Sequence, residues 1–171
     1  MQNNNGVSTE NKSKSITAWY LLVLIFGFLG TVMAASDASS PATIDQNGLN
    51  VIVREFQGRL HIPQTISPSI VEVNEYLVSV EPTSPAGKGF IIKFDRKFLQ
   101  TLGEEEQRAV IAHEIGHIWI FTHHPYLQTE PLANEIALQL VGRESLDKVY
   151  GRVWQLEGRK GTLEQFLAKV E

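Results

Sequence analysis

Apolar residues recur along this chain in three rhythms, and each predicts a different element. From Ile16 to Met33 the run ITAWYLLVLIFGFLGTVM carries no charge and has no polar face, the pattern of a membrane-inserting segment. From Gln46 to Leu60 the spacing of Leu49, Val53, Phe56 and Leu60 is four, three and four, which is the helical period, and HIP ends the run. Then SIVEVNEYLVSVEP and GKGFIIKFD, rich in β-branched and aromatic residues and separated by the turn-forming PTSPAGKG, predict antiparallel strands.

Thr101 followed by Glu104 reads as a capping box, and Glu104, Glu105 and Glu106 place negative charge in the first turn of the helix it opens. That helix should run to about Phe121 or Thr122, where HHP stops it, because a residue before proline avoids helical geometry. A second helix is expected from Pro131 to Val141, closed by Gly142. Further helices are expected after Ser145 and from Thr162. No internal repeat is visible. The fold class is therefore α+β: a mostly helical domain with a small antiparallel sheet, preceded by one hydrophobic segment.

That segment has 18 uncharged residues, between a signal-peptide core and a full transmembrane span, so residues 1–35 read as a signal peptide or a membrane anchor. Val32-Met33-Ala34 offers small residues for a signal peptidase. Lys12 and Lys14 precede the segment and no Lys or Arg follows until Arg54, which puts the N-terminus in the cytoplasm and the domain on the other side. Residues 36–42, rich in Ser, Ala, Asp and Pro, form a linker to a domain over 43–171. The 171 residues suit one core, and 43% hydrophobic with 20% charged residues is ordinary for a globular protein. A net charge of −4 argues against nucleic acid as a partner. With no cysteine, disulfides, thiolate nucleophiles and thiolate metal sites are all excluded, so any metal must be held by His, Asp or Glu.

Four of the five histidines fall in AVIAHEIGHIWIFTHH, Ala109–His124. His113 and His117, four residues apart on the predicted helix, leave one face about a turn apart and can grip a single zinc ion. Glu114 lies about 100° around the axis, where a carboxylate can reach a metal-activated water without ligating the metal and act as general base. This is zinc peptidase chemistry, acting on a peptide or protein substrate. A bare HExxH also arises by chance. Here it sits in a capped helix among Val110, Ile111, Ile115 and Ile118, where two histidines and a carboxylate are costly without a metal. Gly116, mid-helix, points to another element packed closely against it.

A catalytic zinc needs a third protein ligand. His123 stands ten residues after His113, the spacing of the metzincin motif HExxHxxGxxH, but Ile120 holds the position of that motif's turning glycine and the only methionines are Met1 and Met33. Without the glycine IWIF continues the helix and turns His123 away. Glu130 lies thirteen residues after His117, before Pro131, which would put it at the helix entrance. Glu135 lies eighteen residues after His117 in NEIALQ, and its plain alternative is an exposed helix charge.

EPLANEIA, read as Glu-x-x-Ala-Asn-x-x-Ala, resembles the second-helix motif of gluzincin peptidases. The group of CAAX prenyl endopeptidase and heat-shock protease X has Glu-x-x-Ala-Asp, and the ImmA/IrrE group has Glu-x-x-Ala-Asn. FIIKFDRKFLQTLGEEEQRAVIAHEIGHI is similar to the strand and helix before the zinc site in the first group, so the resemblance spans about Gly89 to Gly142. NEIALQ is loosely similar to the Asn-Glu pair of thermolysin-like enzymes. The gluzincin resemblance implies a zincin-like fold, Glu130 as third ligand ahead of Glu135 and His123, and Asn134 supporting a ligand histidine. It also implies that Gly89–Phe94 could be an edge strand that aligns substrate by β-addition.

Other positions carry less. His124 and Tyr126 could stabilise an oxyanion or simply lie in a surface loop. Trp119, Tyr150 and Trp154 read as core, and His61 as a surface or capping residue. Two competing functions remain: a peptidase-like binding or regulatory module without turnover, against which the presence of Glu114 argues, and a metal-storage protein, against which the single cluster argues.

Overall fold

The computed structural model describes residues 44–84 and 86–157, and within them the chain is α+β. The expected signal or anchor segment, the linker and the helix from Thr162 lie outside the described residues. No helix among the described residues is long and apolar enough to cross a membrane.

Helix α1 spans Gln46–Arg59, with Asp45 as N-cap accepting a 2.8 Å hydrogen bond from the Gly48 N–H. Its periodic residues Leu49, Val53 and Phe56 are buried, joined by Ile52, while Leu60 is half-buried. His61 is exposed in the left-handed region at φ 52°, where the chain reverses after the helix.

Strands β1 (Thr65–Val71), β2 (Val78–Pro82) and β3 (Gly89–Asp95) form a sheet in the order β1-β3-β2. The expectation of a wholly antiparallel sheet is corrected: β2 and β3 pair antiparallel, but β1 pairs parallel with β3, Ile66 opposite Phe90 and Ile70 opposite Phe94. The reason is burial. Phe90, Ile92 and Phe94 are all inaccessible, so the most apolar strand takes the centre and separates β1 from β2. Between β1 and β2 the run breaks at Asn74, whose side-chain amide donates to Ser79 Oγ (3.1 Å) and the Lys93 carbonyl (3.0 Å) and whose Oδ1 accepts from the Tyr76 N–H (3.1 Å). An asparagine turning back on its own neighbours competes with strand pairing. The central position of β3 also removes Gly89–Phe94 as a free edge for substrate, since both its sides are already paired.

Asp95 caps a short helix α2, Arg96–Thr101, accepting from the Phe98 N–H at 2.9 Å. Thr101 ends this helix rather than opening the next; its hydroxyl donates to the Phe98 carbonyl at 2.7 Å. Helix α3 runs Glu104–His123 with Gly103 as N-cap, and Glu106 reaches back to accept from the Gly103 N–H at 2.7 Å. The capping carboxylate is thus two residues later than the sequence pattern placed it. Burial of Leu102, and of Gln107, which donates to the carbonyls of Leu99 and Leu102, pins the junction there.

Helix α4 spans Glu130–Ala137 and α5 spans Arg143–Glu157. The expected end of α4 at Val141 is corrected to Ala137: beyond it the Gln139 and Leu140 N–H groups donate to the Ile136 and Ala137 carbonyls, three residues back rather than four, so the chain tightens into a turn. The core lies between the sheet, α1 and α3, and Ala137, Leu140, Leu146 and Val149 extend it to α4, the turn after it and α5. A smaller apolar cluster of Ile120, Ala133 and Ile136 holds α3 to α4.

Candidate metal centre

The site forms where α4 crosses α3, and Gly116 sets how near the two come. A Cβ on Gly116 would lie 2.6 Å from the carbonyl oxygen of Ala133 and 3.2 Å from its Cα. A glycine inside a helix costs about 1 kcal/mol against alanine. Here it lets the α4 backbone rest directly on the turn that carries both histidines, as its position inside HEIGH suggested.

This contact brings His113, His117 and Glu130 together, with one potential donor atom of each within 4.8 Å of the others. His113 Nε2 is 3.1 Å from His117 Nε2 and 3.2 Å from Glu130 Oε2, and His117 Nε2 is 3.5 Å from Glu130 Oε1. Glu130 is the first residue of α4, after the N-cap Thr129 and before Pro131. Its carboxylate also meets the positive end of its own helix. Side-chain exposure rises from 9% at His113 through 12% at His117 to 32% at Glu130, so the cluster opens to solvent on the Glu130 side.

The other ring nitrogens are held by amides. His113 Nδ1 is 2.8 Å from Asn134 Oδ1 and His117 Nδ1 is 3.1 Å from Gln128 Oε1. An amide oxygen only accepts, so both rings donate from Nδ1, and in the neutral rings both Nε2 lone pairs face the cluster. Gln128 is itself oriented, since its Nε2 donates to the His117 carbonyl at 3.0 Å. Neither Gln128 nor the participation of Tyr150, whose hydroxyl donates to Asn134 Oδ1 at 2.7 Å, was visible in the sequence. Gln128 lies in a loop with no periodicity, and Tyr150 had the spacing of a core aromatic.

Two lone pairs and a carboxylate this close repel one another unless a proton or a metal cation lies among them. Donor atoms at about 2.0–2.1 Å from a tetrahedral zinc stand about 3.3 Å apart, so the three separations found here suit an ion of that size. Two imidazoles and a carboxylate could hold such an ion. Glu114 is buried at 3% exposure beside this cluster. Burial pushes its carboxyl above the usual carboxylate range, against the pull of His113 and His117.

His123 and Glu135 are not part of the cluster. His123 is the last residue of α3, exposed, with its ring stacked on Trp119 at 4.2 Å and its Nδ1 2.9 Å from the Trp119 carbonyl. Glu135 is exposed on α4. Tyr126 and His124 are exposed in the loop between α3 and α4, and Trp119, Tyr150 and Trp154 are half-buried.

In the metal-free cluster, burial by itself would raise Glu130 and lower His117, but their mutual contact outweighs it. Glu130 is held well below its usual range by both histidines, and His117 is raised by Glu130 and Glu114. Glu130 therefore stabilises the fold above about pH 4.3, its unfolded value, and loses that contribution as pH falls through its depressed folded value. His117 contributes fully below about pH 6.5 and loses that contribution as pH rises through its raised folded value. A metal ion must displace the His117 proton, so its binding strengthens with rising pH. The increase in Tm on adding zinc is expected to be larger at pH 7.5 than at pH 5.5; equal increases would count against binding at this cluster.

No protein-family model, no curated protein and no solved structure matches this chain.

Proposed function

We propose that the protein is a zinc-dependent endopeptidase of gluzincin type, with His113, His117 and Glu130 holding the ion and Glu114 as general base. The observation that carries this reading is the convergence of those three side chains, from two helices, beside a buried glutamate in HEIGH. When bound, zinc supplies Lewis acidity and makes water nucleophilic at neutral pH. Glu114 accepts the proton of the attacking water and passes it to the leaving amine. Asn134 and Gln128 hold the two rings with Nε2 turned to the ion. The resemblance of EPLANEIA to the gluzincin second helix supports the same assignment, since the position matching the motif's glutamate is the one that reaches both histidines. The uncharged run 16–33 supports a domain exported or tethered on the non-cytoplasmic side, in contact with the membrane where the run is retained.

The test is a zinc measurement paired with casein cleavage. Chelation is expected to abolish cleavage and zinc to restore it. Glu130→Gln is expected to weaken zinc binding at least tenfold, while Glu135→Gln and His123→Ala bind zinc as wild type does. Normal zinc binding by Glu130→Gln, or its loss in Glu135→Gln, would overturn the ligand set. Cleavage that survives chelation would overturn the activity.

A further inference from the structure

Tyr150 reaches the metal cluster from α5, an element that contributes nothing else to it among the contacts above. Its hydroxyl donates to Asn134 Oδ1 at 2.7 Å, and the same oxygen accepts from His113 Nδ1 at 2.8 Å. The hydroxyl lies 3.4 Å from His113 Nδ1, and the Tyr150 ring meets the His113 ring edge to face at 6.0 Å. We infer that Tyr150 is a positioning residue that fixes the orientation of the Asn134 amide and, through it, the tautomer in which His113 can bind a metal.

The two ends of an amide offer a neighbouring ring opposite partners. Asn134 presented by its oxygen keeps the proton on His113 Nδ1 and leaves Nε2 as a donor to the metal. Asn134 presented by its NH₂ favours the opposite tautomer, which puts a proton where the ion must sit. A carboxylate has acceptors at both ends and faces no such choice. An asparagine needs a further contact to decide, and both amides here make such contacts. Gln128 takes its bearing from the His117 carbonyl, to which its own NH₂ donates. Asn134 takes it from the Tyr150 hydroxyl, which in the reversed orientation would have to give up its donation. Because that hydroxyl is spent on Asn134, Tyr150 acts through its neighbour rather than on substrate.

This inference rests on the metal-site reading, and the experiment separates the two. Zinc affinity is measured by chelator competition for the wild type, Tyr150→Phe, Asn134→Asp and the double variant, each as the full chain. Tyr150→Phe, which keeps the ring and removes the hydroxyl, is expected to weaken zinc binding about tenfold. In the Asn134→Asp background the same change is expected to cost less than twofold, because the carboxylate needs no orienting partner. In parallel, ¹⁵N spectra of the metal-free proteins are expected to show His113 as the Nδ1–H tautomer in wild type and as a mixture in Tyr150→Phe. An equal loss of affinity in both backgrounds, unchanged affinity in Tyr150→Phe, or an unchanged His113 tautomer would overturn the positioning role while leaving the zinc site standing. A wild-type protein that takes up no zinc would overturn the site reading, and the inference with it.

Discussion

Glu114→Gln is expected to keep one zinc ion per chain and to lower peptide hydrolysis by about 10²–10⁴-fold, the usual contribution of a positioned general base. The substitution preserves size and shape at a buried position, so it tests the proton-accepting function alone. Glu114 follows His113 directly in α3, and the groups that act on its carboxyl are His113, His117 and Glu130. Burial raises its carboxyl while the two imidazoles pull it down, a balance that suits a group which must both take up and release a proton. The measurement is kcat/KM on a peptide, with zinc content determined on the same preparation. Undiminished hydrolysis by the zinc-loaded variant would end the proposed mechanism. Loss of zinc along with activity would instead assign Glu114 to holding the ion.

Gly116→Ala is expected to be the most damaging single-methyl change in the described residues. The added Cβ would meet the Ala133 carbonyl oxygen at 2.6 Å, and that is backbone, which cannot rotate out of the way as a side chain can. Overpacking of this kind costs about 1–3 kcal/mol, outweighing the gain of about 1 kcal/mol from replacing glycine inside a helix. Relief requires α4 to move off α3, and α4 carries both Glu130 and Asn134, so zinc affinity should fall together with Tm. Gly151 in α5 supplies the contrast: a Cβ there meets nothing within 4 Å, so Gly151→Ala should raise Tm. Equal Tm changes of the same sign in the two variants would show that the close approach of α4 does not govern this interface.

Much of the α3 helix was legible from local pattern. Its acidic first turn, its apolar surroundings and its uninterrupted run through Ile120 all depend on residues within a few turns of one another, and the structure has each of them. The details that failed were those set by distant partners. The helix starts after Gly103, not at Thr101, because α2 uses Thr101 for its own last turn and buried Gln107 closes the junction. α4 gives way to a tightened turn after Ala137, and the Gln139 and Leu140 carbonyls of that turn are held by Arg59, far away in sequence. β1 pairs with β3, and parallel to it, where β3 turns Phe90, Ile92 and Phe94 into the core as the central strand; alternation within one strand carries no information about its neighbours.

The same division runs through the candidate metal centre. Spacing by itself put His113 and His117 on one face with Glu114 beside them, since a helix with 3.6 residues per turn leaves no freedom once it forms. Spacing left Glu130, Glu135 and His123 all open as partners. Only the packing of α4 on Gly116 brought Glu130 to both imidazoles and left the other two in solvent. The amide of Gln128 and the hydroxyl of Tyr150 could be found in no other way. Each reaches its histidine across a loop or from another helix, and contacts of that kind are decided by how elements dock rather than by how any one of them folds.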